Sequence, residues 1–192
     1  RFFNLYDLKA RIIIDSNIPL QAGLAGSTAV LACVLTAVLT FTGKQYNRYK
    51  LAEINRIIEL NYLKCQCGYQ DAYMTTFGGL NYLDFRGKEY YKELDKEQYA
   101  VVEPLNNYVR KLPFVIAHTG IKHHSGNFHR PIRQRWLEED KVVVEGYNEI
   151  MNIAREGKKA LINEDWDYLA YLMNKNHEIQ DNIAYSGEQN NY

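Results

Sequence analysis

The sequence predicts an α+β fold, and three observations carry the prediction. Residues 8–14 close on Ile12, Ile13 and Ile14, β-branched residues that suit a strand, and residues 114–117 read as another. Residues 80–85 alternate in the manner of a half-buried strand. Helical patterns lie between and after them: an uncharged stretch over 27–42, and 50–62, where Leu51, Ile54, Ile57, Ile58 and Tyr62 recur at three- and four-residue spacing. At 192 residues the chain can bury a substantial core, as one domain or two small ones.

The first strand feeds a run of eleven residues, PLQAGLAGSTA at 19–29. Gly23 and Gly26 allow positive φ and close backbone approach, and Ala22, Ala25, Ser27 and Thr28 keep that approach clear of bulk. A helix starting near Ser27 would leave several amides without intrahelical acceptors at the positive end of its dipole, a setting that suits a phosphate. Neither G-x-x-x-x-G-K-[ST] nor G-x-G-x-x-G occurs in the chain. A turn of small residues that merely permits tight helix packing is the alternative.

In the helix over 50–62, Glu53 and Arg56 fall on the wetter side. Residues 71–76 read as a short helical turn, Gly78 and Gly79 break it before the strand at 80–85, and Arg86, Gly87 and Lys88 form a turn. The polar, tyrosine-rich stretch 89–103 marks a boundary, dividing the chain into domains at 1–88 and 89–192. After the strand at 114–117 come His118, Thr119, Gly120 and a basic loop. Residues 130–155 read as broadly helical, with Pro131 fitting the first turn. Asn163 or Asp165 would cap a last helix bearing Trp166, Leu169, Met173 and Ile183 at helical spacing. No internal repeat or heptad series is present.

Composition excludes several function classes. The 23 basic and 23 acidic side chains cancel, so there is no electrostatic footprint for nucleic acid. Three cysteines, Cys33, Cys65 and Cys67, lack a disulfide spacing pattern and point to a reducing, cytoplasmic setting, and Cys65-x-Cys67 lacks the spacing of a zinc site. Residues 19–43 carry no charge, yet the continuous helical stretch 27–42 falls short of the about 20 residues a bilayer span needs. A core helix, with no membrane partner, is the expectation. Residues 1–10 contain no signal-peptide pattern, and the absence of an initiator methionine suggests a fragment.

A phosphate loop alone gives binding; phosphoryl transfer also needs a metal ligand and a group that orients or deprotonates the acceptor hydroxyl. Glu59 lies twelve residues before Asp71, and Asp71 follows CGYQ on a turn close to Gly78 and Gly79. With these residues in view, PLQAGLAGSTA resembles the Pro-x-x-x-Gly-Leu-x-Ser-Ser loop of the GHMP kinase superfamily, with Gly26 where a serine or threonine is frequent. CGYQDAYMTTFGGLNYLDF looks like the segment that bears the family's catalytic aspartate and the glycine-led strand after it. SNIPLQAGLAGSTAV, SGNFHRPIRQRWLEED and LMNKNHEIQ together are similar to the members that phosphorylate the anomeric hydroxyl of glucuronic acid.

The resemblance implies a GHMP kinase-like fold, a ribosomal S5 domain 2-like half followed by a ferredoxin-like half. It implies ATP and Mg2+, with Pro19, Gln21, Ala22, Gly23, Leu24, Ala25, Gly26, Ser27 and Thr28 around the nucleotide phosphates. Ser27, with Thr28 as second choice, and Glu59 would ligate magnesium, Asp71 would serve the acceptor hydroxyl, and Gly79 would line the sugar site. Arg133 and Arg135 could grip a sugar carboxylate through paired hydrogen bonds, with Ser125 and His129 serving sugar hydroxyls. The same arginines could instead face solvent or pair with Glu138 and Glu139. The implied activity is an ATP-dependent sugar kinase, a monomer or homodimer. A kinase for galactose, heptose 7-phosphate or mevalonate, and a non-catalytic sugar or nucleotide sensor, are the alternatives. Two family elements, an N-terminal strand with a basic residue and a C-terminal glycine-rich loop, would lie before Arg1 and beyond Tyr192.

Overall fold

A computed structural model describes residues 9–19, 22–65, 67–88, 96–117 and 125–185, with the backbone alone over 125–130. Its elements run α1 (Gly26–Phe41), α2 (Arg48–Asn61), α3 (Gln70–Phe77), β1 (Asn81–Asp84), β2 (Val101–Pro104), α4 (Ser125–Leu137), α5 (Lys141–Ile162) and α6 (Trp166–Tyr185). Helices and a small antiparallel sheet thus make a mixed fold.

α1 begins at the end of the glycine loop, and α2 starts where the Asn47 side chain accepts from Lys50 N at 2.8 Å. α1, α2 and α3 touch pairwise. Leu35 and Leu39 of α1 meet Ile54 of α2, with Tyr46, Leu51 and Ile58 packed against them. The opposite side of α2 offers Ala52 to Tyr73 and Ala100, inside a shell of Tyr49, Tyr69, Phe77, Leu83, Phe85 and Val102. α2 is therefore covered on two faces. Glu53 and Arg56, expected on its wetter side, are 2% and 3% exposed, because the second apolar cluster closes over that side as well.

β1 and β2 pair antiparallel, Asn81 opposite Pro104 and Asp84 opposite Val101. Gly78 and Gly79 both take positive φ before β1, and a Cβ on Gly79 would lie 2.7 Å from the Asn106 side chain. β2 sits within the stretch read as polar boundary, a strand the sequence concealed. Lys158 of α5 ties to Glu103 of β2 at 2.5 Å and lies 4.9 Å from the Tyr82 ring centre.

Two expected strands do not form among the described residues. Residues 9–14 and 114–117 have no regular structure and are exposed, Val115 to 94%. β propensity makes a strand only where a neighbour completes the ladder, and no described strand pairs with either. His118, Thr119 and Gly120 lie outside the described residues.

The helix expected over 130–155 is two helices. α4 starts earlier, at Ser125, so Pro131 is inside it and removes a hydrogen bond there rather than opening the first turn. It ends where Glu139 takes φ 57° and Asp140 N donates to Arg135 O at 2.9 Å. Asp140 then caps α5, its carboxylate accepting from Val142 N at 2.9 Å. α5 and α6 are joined the same way. Glu164 takes φ 54°, and Asp165 accepts from Tyr168 N at 3.1 Å. Asp165 is thus the cap of α6, and Asn163 closes α5. Leu169 and Ile183 are buried on α6 as expected, whereas Met173 is 53% exposed and Leu172 takes a core place.

Candidate functional site

The site begins with the loop. Gly23 adopts φ 74°, but the second left-handed position falls on Ala25, at φ 52°, and Gly26 is the first residue of α1. The small residue needed at position 26 meets Ile18 instead: a Cβ there would lie 3.3 Å from the Ile18 side chain. The first helical bond runs from Ala29 N to Ala25 O at 2.9 Å, and no side chain caps the helix. The amides of Gly26, Ser27 and Thr28 therefore precede the intrahelical ladder at the positive end of α1. Pro19 and Leu24 are exposed and Ala22 is half-buried on the approach, and Gln21 lies outside the described residues.

Below this head of the helix stands Glu59. Thr28 Oγ1 donates to Glu59 Oε1 at 2.8 Å, and Asn55 Nδ2 donates to the Thr28 carbonyl at 3.2 Å. The side chain is 3% exposed, and its second oxygen, Oε2, is buried with no hydrogen-bond partner. Burial pushes the carboxyl above its ordinary 4.5; the Thr28 hydrogen bond and the nearby Cys67 and Ser27 donor groups pull the other way, and the nearby Asp71 charge adds to the rise. Burial, then Glu59, push the Cys67 thiol up to about 12, so it stays a neutral thiol near neutral pH.

Ser27, Thr28, Glu59, Cys67 and Asp71 thus share one neighbourhood, drawn from α1, α2, the turn before α3 and the first turn of α3. Thr28, held as second choice to Ser27, is the hydroxyl bonded to Glu59, whereas Ser27 is exposed beside that carboxylate. Asp71 is exposed in the first turn of α3. Sequence reasoning missed Asn55 and Cys67. Asn55, four residues before Glu59 on one helix face, was the available signal.

The remaining predicted residues lie elsewhere or outside the description. Gly79 opens the turn into β1. Arg135 is engaged within the helical layer: its Nε donates to Asp140 Oδ2 at 2.8 Å and its NH1 to the Ile183 carbonyl at 2.5 Å. Arg133 is half-buried two residues earlier on α4. The Ser125 and His129 side chains lie outside the described residues.

Among the described residues no group of three or more His, Cys, Asp or Glu side chains could hold a metal ion. The oxygens near the α1 head are few and hard: the orphaned Glu59 Oε2 and two hydroxyls. That set fits a cation which takes few protein ligands and completes its shell with water and phosphate. Among the described residues no helix is long and apolar enough to cross a membrane.

The chain is similar to several known proteins. Residues 1–79 match the family described as GHMP kinases N terminal domain. The chain is 31% identical over 181 residues to glucuronokinase 1 of Arabidopsis thaliana, covering 92% of the chain and 48% of the relative. Probable glucuronokinase 2 of the same plant is 31% identical over 179 residues, covering 92% and 47%. A galactokinase of Thermosipho africanus (strain TCF52B) is 25% identical over 151 residues, covering 79% and 40%. The chain spans about half the length of the glucuronokinases it matches. The resemblance read from the loop and the Asp71 segment is borne out.

Proposed function

We propose, from a chain whose first 79 residues match the GHMP kinase N-terminal domain, that the whole protein is an ATP-dependent sugar kinase with glucuronic acid as its favoured acceptor. The observation that carries this is the juxtaposition of the uncapped α1 head with buried Glu59 and exposed Asp71. The fold of the whole protein follows the resemblance, an S5-like half to residue 88 and a ferredoxin-like half from 89.

In this reading the amides of Gly26, Ser27 and Thr28 receive phosphate oxygens of ATP, and Pro19 to Ala25 wrap the rest of the triphosphate. Ser27 and Glu59 hold Mg2+, with Thr28 fixing the Glu59 carboxylate. Bound magnesium neutralises charge on the transferring phosphate. Asp71 orients the acceptor hydroxyl and takes its proton as the sugar oxygen bonds to the γ-phosphorus and the bond to ADP breaks. Arg133 grips the acidic sugar's carboxylate, and Arg135 holds the helix that presents it. Ser125 and His129 serve sugar hydroxyls, and Gly79 leaves room for the ring. The enzyme works in the cytoplasm as a monomer or homodimer.

ADP release by the full-length protein across uronic acids, neutral hexoses, heptose 7-phosphate and mevalonate tests this. Glucuronic acid is expected to turn over fastest; no turnover on any of them refutes the kinase reading. The galactokinase similarity favours a neutral hexose as the second acceptor. Arg133→Met is expected to raise the KM for glucuronate about tenfold or more while sparing galactose, whereas Arg135→Met lowers stability. Equal losses on both sugars with Arg133→Met remove the carboxylate assignment.

A further inference from the structure

Between α2 and α3 lies a buried set of charges that the proposed reaction does not use. Lys88 and Glu53 each have side chains 2% exposed, with Nζ 2.6 Å from Glu53 Oε1. The same ammonium lies 3.3 Å from Glu97 Oε2 and donates to the Gln98 carbonyl at 2.8 Å. The Tyr73 hydroxyl donates to Glu53 and accepts from Ala100 N at 3.0 Å. The Tyr69 hydroxyl donates to Glu97 Oε1 at 2.8 Å. Its ring centre lies 3.7 Å from the Arg56 guanidinium carbon and 4.6 Å from Lys88 Nζ.

Such a set is a poor way to gain cohesion, since apolar side chains of similar size stabilise a core at least as well. It gives direction instead. Glu53, Arg56 and Glu59 follow one another at three-residue steps on α2, so the cation touching Tyr69 stands one turn from Glu59. Tyr69 is the N-cap residue of α3, two positions before Asp71, and α3 has no side-chain cap. The first turn of α3 is therefore held by the Tyr69 ring and hydroxyl, not by its own end.

We propose that Lys88, Tyr69 and Arg56 are positioning residues that fix the first turn of α3 against α2, and so set Asp71 relative to Glu59 for phosphoryl transfer. The inference rests on the kinase reading above. Misplacing a reacting group by about 1 Å costs about a hundredfold in rate. In that reading, ground-state nucleotide binding at the α1 head does not depend on it.

The test uses the full-length protein. Tyr69→Leu is expected to lower kcat about 30-fold or more while the KM for ATP stays within about twofold, and Tyr69→Phe, which keeps the ring, to stay within about threefold of wild type. Amide exchange should quicken in α3 and remain unchanged in α5 and α6. If Tyr69→Leu does not fold, the paired Lys88→Met and Glu53→Gln change removes one cation and one carboxylate together and is read the same way. A kcat for Tyr69→Leu, or for the paired Lys88→Met and Glu53→Gln variant, within about twofold of wild type, or lost kcat with α3 exchange unchanged, overturns the positioning role alone. A wild-type protein that turns over no sugar overturns the kinase reading, and this inference with it.

Discussion

Glu59 combines two roles that oppose each other, a carboxyl shut away from water and a proposed ligand for a cation. Its carboxyl sits above its ordinary 4.5 because burial disfavours the charge. Between 4.5 and that raised value the folded chain holds a proton that the unfolded chain has released. The contribution to stability is therefore full below the ordinary value and is lost as pH rises through the raised one. Glu59→Gln keeps an oxygen for Thr28 and removes the charge. At neutral pH it is expected to stabilise the fold by about 1 kcal/mol in urea unfolding, a gain that vanishes below about pH 4. The same change is expected to lower kcat about a hundredfold or more. A variant no more stable at neutral pH than wild type would show that Glu59 is not strained by its burial.

At the scale of elements, the helices of the second half are joined by one repeated device. A glutamate in the left-handed region precedes an aspartate whose carboxylate caps the next helix, Glu139 with Asp140 and Glu164 with Asp165. The second was legible because Asp165 sits before a fresh apolar stripe. The first was hidden, since no glycine or proline marks the break and left-handed glutamate leaves no trace in composition. Beyond the joints, α5 and α6 pack tightly at Gly146, where a Cβ would lie 2.7 Å from Ile183 Cδ1. Gly146→Val is expected to destabilise by about 1–3 kcal/mol in urea unfolding, and an unchanged midpoint would mean the two helices can separate without loss. α2 carries the wider lesson. Periodicity found its apolar stripe, but scored Glu53 and Arg56 as wet because it counts polarity as exposure. Their partners are remote: Lys88 is 35 positions from Glu53, beyond any local window.

For the whole molecule, the glycine loop and the helices α1, α2 and α3 that follow it could be read from the chain because each is a local pattern. What could not be read was pairing. Residues 9–14 and 114–117 have strand composition but no ladder among the described residues, while 101–104, set in polar sequence, finds β1. Burial of charge and choice of strand partner are properties of the assembled chain, and the site depends on both. α1 supplies amides, α2 a carboxylate under a hydroxyl, and α3 an acid at the surface. The central claim is that this meeting point passes a phosphoryl group from ATP to a sugar. Phosphorus NMR of the full-length protein with ATP and glucuronic acid, beside its Asp71→Asn variant, tests it most directly. The account predicts a sugar phosphate signal from the wild type, with a rate about 10²–10⁴-fold lower in Asp71→Asn and ATP still bound. Sugar phosphate formed equally fast by the Asp71→Asn variant, or none formed by a wild type that binds ATP and is offered each of the candidate sugars, would contradict it.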